Sequence, residues 1–129
     1  MKVLYAEDHE VLRVHLAESM AKLGHTVDAV DDGKYVLERL KSGHKYDVVV
    51  TDNQMPMVTG IEVLRQIRAQ EEFKKLPVIV LTSNDIGDDV RKLGGIYMPK
   101  GLDQHSRGSD TENELDVLRG YFDLIELLA

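Results

Sequence analysis

Five side chains capable of chemistry stand at or just beyond the ends of short apolar runs. Glu7 and Asp8 follow Lys2 to Ala6, Asp52 follows Asp47 to Thr51, Thr82 ends the run from Val78 to Leu81, and Lys100 comes soon after Ile96 to Met98. Three carboxylates brought together cannot all stay ionised unaided, so either a carboxyl pKa rises or a cation sits among them. Mg2+ suits that role, because it takes hard oxygen ligands, usually one or two carboxylates with retained waters and substrate phosphate. A lysine across such a site serves as a point charge for a phosphoryl group.

The elements that must position these residues are legible as an alternation of β-branched runs with amphipathic segments. Leu12, Leu16, Met20 and Leu23 make one helical stripe, with Gly24 where a helix C-terminal glycine belongs. Thr26 to Val30 reads as a second strand. Asp31, Asp32 and Gly33 then place a carboxylate at the start of a helix carrying Val36, Leu37 and Leu40 and ended by Gly43. The runs at 47–51 and 78–81 are apolar throughout, as expected of parallel strands covered on both faces. Between them, Ile61, Leu64 and Ile67 form a helix core stripe, with Arg65, Gln66 and Arg68 assigned to its solvated side. A short helix is expected at Asp88 to Leu93 and a last one at about Asn113 to Leu128.

Five such units predict an α/β fold, a doubly wound parallel sheet with right-handed crossovers and helices on both faces. In such folds the ligand crevice lies outside the carboxyl ends of the strands. All five chemical side chains are therefore expected at one sheet edge.

Composition sets outer limits. The 129 residues suit one domain spanning 1–129, and 43% of them are hydrophobic. The absence of cysteine excludes disulfides, thiolate metal sites and thiol nucleophiles. With 16 basic against 23 acidic residues, the net charge of −7 argues against direct nucleic-acid binding, which draws on Lys and Arg. No apolar stretch approaches the length of a membrane span, and a cytoplasmic protein is expected. The five histidines show no metal-ligand spacing, although His9 follows Asp8 closely enough to lie near the site.

In order along the chain, Glu7-Asp8, the segment Asp52-Asn53-Gln54-Met55-Pro56 with Gly60, the pair Thr82-Ser83, and Tyr97 three residues before Lys100 make it resemble the receiver domains of bacterial two-component response regulators. The resemblance implies a flavodoxin-like sheet of strand order 2-1-3-4-5. It implies that Asp52 is the phosphoacceptor, attacking phosphorus in line to form an acyl phosphate. It implies Mg2+ held by Asp8 and Asp52, by Glu7 through a water that it binds or orients, and by the backbone carbonyl of Gln54. Lys100 would pair with a phosphoryl oxygen, Thr82 would donate its hydroxyl to another, and Tyr97 would turn inward behind the shifted Thr82. The implied partners are a histidine kinase or histidine phosphotransfer protein and a downstream protein, with the chain a monomer or weak dimer. Catalysis would be confined to its own phosphorylation and dephosphorylation, so no turnover enzyme is expected.

Other readings compete. A Mg2+-dependent phosphatase of the haloacid dehalogenase type needs a second Asp two residues beyond its nucleophile, where this chain has Gln54. A flavodoxin-like electron carrier needs a Ser, Thr and Gly-rich loop after the first strand, where Glu7-Asp8-His9-Glu10 would repel a flavin phosphate. A receiver-like docking module that is never phosphorylated needs none of the acidic residues. Singly, Asp52 could merely serve a turn, Thr82 a strand and Tyr97 a packing role.

The chain also departs from the family pattern. Pro99 precedes Lys100, whereas many receivers have Pro after the lysine. Residues 83–99, 17 in all, separate Thr82 from Lys100 and leave room for only about two turns of helix. Gly101 to Glu112 is polar and longer than the usual link to the last helix. Both length changes fall on the face that receivers use for output, so conventional switch chemistry with an altered output surface is expected.

Overall fold

A computed structural model describes residues 1–100 and 110–129, with residues 110–113 as helix backbone only. Strands β1 (Lys2–Ala6), β2 (Thr26–Val30), β3 (Val48–Asp52), β4 (Val78–Thr82) and β5 (Ile96–Pro99) form one parallel sheet in the order β2-β1-β3-β4-β5. Helices α1 (Glu10–Lys22), α2 (Gly33–Lys41), α3 (Gly60–Arg68), α4 (Gly87–Lys92) and α5 (Asp110–Leu128) alternate with them, and a 3-10 turn spans Glu71–Phe73. The doubly wound sheet and its strand order are those expected.

Neighbouring side chains on each strand enter opposite cores, because successive Cβ atoms of a strand alternate between faces. Val3, Tyr5, Val48, Val50, Ile79 and Leu81 pack with Leu16 and Met20 of α1 and with Leu118 and Phe122 of α5. Leu4, Ala6, Val49, Val78 and Val80 pack with Val36 and Leu40 of α2, Val63, Leu64 and Ile67 of α3 and Val90 of α4. Each large apolar side chain so buried contributes roughly 1.5–3 kcal/mol. Two-sided burial is the reason the central strands carry no polar alternation.

Local signals set the helix limits. His9, Asp32 and Thr59 cap α1, α2 and α3 by accepting from the N–H groups of Leu12, Lys34 and Glu62. Gly24 and Gly43 stop α1 and α2 with φ of 98° and 89°, a left-handed turn that suits glycine. The fourth helix is short, as expected, with six residues.

Two expectations need correction. The last helix starts at Asp110 instead of near Asn113, so Asp110 to Glu112 belong to it; acidic residues favour the positive N-terminal end of a helix. Residues 101–109 of the polar stretch lie outside the described residues. Arg68 is not on a solvated face: it is half-buried, and its guanidinium donates to the carbonyls of Phe73 at 3.0 Å and Gly94 at 2.9 Å. Helical spacing places it off the α3 core stripe, but the 3-10 turn and the end of α4 bring carbonyls to meet it. Among the described residues no helix is long and apolar enough to cross a membrane.

Candidate functional site

The sheet register brings the expected residues to one edge. Ala6 pairs with Thr51, Asp52 with Leu81, and Thr82 with Pro99, so Asp52 at the end of β3 and the residues just beyond β1 and β5 emerge beside the end of β4. Pro99 lacks an N–H, which an edge strand such as β5 tolerates. The ladder nevertheless continues one residue further, the Lys100 N–H donating to the Thr82 carbonyl at 2.9 Å.

Carboxylate oxygens of Glu7, Asp8 and Asp52 lie within 4.8 Å of one another. Glu7 is buried, Asp8 is exposed, and the Asp52 side chain is 14% exposed. The Lys100 ammonium donates to Glu7 at 2.9 Å and stands 3.8 Å from Asp52. Burial raises the carboxyl pKa of Glu7, but the Lys100 hydrogen bond and charge, with the His9 N–H, outweigh it and hold Glu7 below its usual value. Burial pushes Asp52 up to about 6; Lys100 opposes this, while the charges of Glu7 and Asp8 add to it. Asp8 is raised by partial burial and by Glu7 beside it. Lys100 is raised, since its two carboxylate neighbours outweigh its own burial.

This donor set fits Mg2+. It consists of hard oxygens, it has one lysine against three carboxylates, and its exposed member leaves room for the waters Mg2+ retains. The residue expected to complete it, Gln54, is exposed in the loop after β3. That loop is firmly held. The Asn53 carbonyl accepts from the Gly60 N–H at 2.9 Å, the Asn53 side-chain oxygen accepts from the Ile61 N–H at 3.0 Å, and Met55 is buried in the core. Gly60 is required there, because a Cβ would lie 2.3 Å from the Asp52 carbonyl oxygen.

Thr82 is buried at the strand end, but its hydroxyl is engaged by its own loop. It donates to the Asn84 side-chain oxygen at 3.2 Å and accepts from the Asn84 N–H at 3.0 Å. Tyr97 is half-buried and donates to the Asn84 carbonyl at 3.2 Å, with the Arg91 guanidinium 5.5 Å from its ring centre. The tyrosine thus lies against α4.

Several contributors escaped sequence reasoning. Arg13 donates to the Glu7 carbonyl at 2.9 Å and the Asp8 carbonyl at 3.4 Å, fixing the backbone of the acidic pair. Tyr5 lies beneath the site, its hydroxyl pKa raised by burial and then by the charges of Glu7 and Asp52. Nothing in residue type or spacing marked either. His9 does lie near the site, where its N–H donates to Glu7 at 3.2 Å while its ring caps α1.

Comparison with known proteins leads to the same place. Residues 3–97 match the family model described as the response regulator receiver domain. The chain is 40% identical over 91 residues to the chemotaxis protein CheY of Pseudomonas aeruginosa, covering 70% of this chain and 73% of that one. It is 37% identical over 83 residues to the two-component response regulator PhoP of the same organism, covering 64% of this chain but only 36% of PhoP. Among solved structures it is similar to the response regulator TrrA of Thermotoga maritima in complex with Mg2+-BeF, at 28% identity and a TM-score of 0.70, covering 88% of this chain and 93% of that one. The strand-end residues, the sheet order and these matches agree: the chain belongs to the response regulator receiver domain family.

Proposed function

We propose that the chain is a phosphorylation-dependent signalling switch in which Asp52 accepts a phosphoryl group from a histidine kinase or a histidine phosphotransfer protein. The observation that carries this reading is a half-buried Asp52 carboxylate held within 4.8 Å of Glu7 and Asp8 and 3.8 Å from Lys100. Such an edge is unfavourable for three carboxylates alone and favourable once a cation and a phosphoryl group enter. Glu7, Asp8, Asp52 and the Gln54 carbonyl would hold Mg2+. When bound, Mg2+ supplies positive charge to the oxygens of the transferred group. TrrA, a relative solved in complex with Mg2+-BeF, supports that choice of ion.

The Asp52 oxygen forms its bond to phosphorus as the bond from phosphorus to the donor atom breaks, and the leaving group keeps that electron pair. Lys100 turns from Glu7 toward a phosphoryl oxygen, compensating the charge that arrives. Thr82 donates its hydroxyl to another phosphoryl oxygen and must first give up Asn84. That exchange releases the loop to which Tyr97 is bonded, so the α4 and β5 face changes and is read by a protein partner. No substrate is turned over.

Incubation with Mg2+ and acetyl phosphate, followed by intact mass measurement, tests the reading. A labile phosphoryl adduct is expected on the wild type and none on Asp52→Asn. An unphosphorylated wild type would support a docking module instead, and repeated hydrolysis of phosphomonoesters would support the phosphatase. Thr82→Ala is expected to remain phosphorylatable while its conformational response weakens, and an undiminished response would remove Thr82 from its role.

A further inference from the structure

Asp32 lies at the end of β2, outside the acidic cluster, and is only 1% exposed. One of its oxygens accepts from the N–H groups of Lys34 and Val58, both at 3.0 Å, and the other accepts from the Met57 N–H at 3.0 Å. The Lys34 bond is an N-cap, for which an exposed Ser would serve. The bonds to Met57 and Val58 reach a different element, the loop between β3 and α3. Three N–H donors hold the Asp32 carboxyl below its usual pKa against the opposing effect of burial, so the group stays ionised. Gly33 supplies an independent observation. A Cβ there would lie 2.5 Å from the Val58 carbonyl oxygen and 2.5 Å from a Val63 methyl, so the turn after β2 and the loop after β3 are in direct backbone contact.

We propose that Asp32 is a positioning residue for divalent-cation binding: by fixing Met57 and Val58, it sets the path of the β3–α3 loop and with it the placement of the Gln54 carbonyl. Asn53 anchors the near end of that loop, and Met55 is sunk in the core. Asp32 holds the far end from another element, so the cation site depends on a carboxylate that never touches it. The inference rests on the Mg2+ reading of the acidic cluster.

Two variants separate positioning from capping. Asp32→Ser retains the N-cap but is too short to reach the loop, and Asp32→Asn retains the acceptor for Lys34 and Val58 while setting an NH2 group against the Met57 N–H. Mg2+ affinity of the full chain is measured by titration calorimetry, with folding checked by circular dichroism. A Leu40→Ala variant, destabilised remotely in α2, serves as control. Asp32→Ser is expected to bind Mg2+ roughly tenfold more weakly, the low end of what outer-shell changes cost, and Asp32→Asn to show a smaller loss, while Leu40→Ala binds as the wild type does. Wild-type affinity in folded Asp32 variants, or equal weakening in Leu40→Ala, overturns the proposal alone. A wild type that binds no Mg2+ overturns the metal reading as well. If the Asp32 variants fail to fold, amide exchange of the wild type decides: protected Met57 and Val58 amides support the proposal, and amides exchanging as fast as exposed loop overturn it.

Discussion

The loops after β3 and β4 both deliver groups to the same sheet edge, yet they are secured by different means. Residues 53–59 are tied by backbone and side-chain bonds from Asn53 to α3, by the buried charged carboxylate of Asp32, and by a buried Met55. Residues 83–86 lean on neutral groups, the Thr82 hydroxyl and the Tyr97 phenol, both meeting at Asn84. Hydrogen bonds to a charged partner are worth about 1.5–3 kcal/mol and neutral ones nearer 1. The loop that must present ligands is thus the costlier to move, and the loop that must report is the cheaper.

Two glycines at the starts of α3 and α4 offer the strongest way to break this contrast. Alanine at Gly60 sets a Cβ 2.3 Å from a strand carbonyl, so backbone must shift. Gly60→Ala is expected to cost about 3 kcal/mol in urea unfolding, the upper end for overpacking, and to abolish phosphorylation. At Gly87 a Cβ would meet the Tyr97 ring at 2.9 Å and the Arg91 guanidinium at 3.0 Å; the guanidinium is the far end of a flexible side chain and can turn away, while the half-buried ring must shift slightly. There the helix preference of alanine, at the first helical residue less than the ~1 kcal/mol of a helix interior, offsets part of the crowding. Gly87→Ala is expected to cost no more than about 1 kcal/mol, the lower end for overpacking. Similar costs at both sites would end the distinction between the loops.

A titration addresses the rigid side next. Asp52 has a folded pKa of about 6 against an ordinary value of 3.8, so between those values the folded chain holds a proton that the unfolded chain has lost. Its contribution therefore favours folding at low pH and is lost as pH rises through about 6. Only about one unit of that shift remains to be lost above pH 5, so at about 1.4 kcal/mol per unit, discounted for partial exposure, the loss from pH 5 to 8 is about 1 kcal/mol without Mg2+. Glu7 runs the other way: its lowered pKa contributes stability above about 4.5 that is lost in acid. Urea unfolding in EDTA is expected to show the decline for wild type but not for Asp52→Asn, and the difference between the two isolates Asp52 from the five histidines. Mg2+ should flatten the decline, and its affinity should fall as protons compete below pH 6. Parallel profiles for the two proteins in EDTA would show that the cluster is not under electrostatic load.

Strand ends were legible from the sequence because parallel strands covered on both faces leave unbroken apolar runs, and the polar residue after each run has one edge to go to. Glu7, Asp8, Asp52, Thr82 and Lys100 were found in that way. Their pairing was not. That Lys100 is nearer Glu7 than Asp52, and that Thr82 faces Asn84, depend on rotamers that residue spacing does not encode. Asp32 was readable as a cap, but its bonds to residues 25 and 26 positions away require the tertiary path. Arg68 was misassigned for a related reason: periodicity locates the apolar stripe of a helix but does not say which carbonyls other elements bring to its flank.

The smallest expected effect bears on the softer loop. Tyr97→Phe removes one neutral hydrogen bond to the Asn84 carbonyl and keeps the ring that packs against Gly87 and lies near Arg91. Global stability should fall by less than about 1 kcal/mol, too little to separate a local tie from a global one by unfolding alone. Amide exchange makes the separation. If the phenol restrains only its own loop, amides at 83–87 should exchange severalfold faster in the variant while those at 57–61 keep wild-type protection. Acceleration in both loops would mean that they open as one unit, and the division between a fixed ligand loop and a movable reporting loop would fail. Acceleration in neither would mean that Asn84 is held by Thr82 alone, leaving Tyr97 a packing residue against α4.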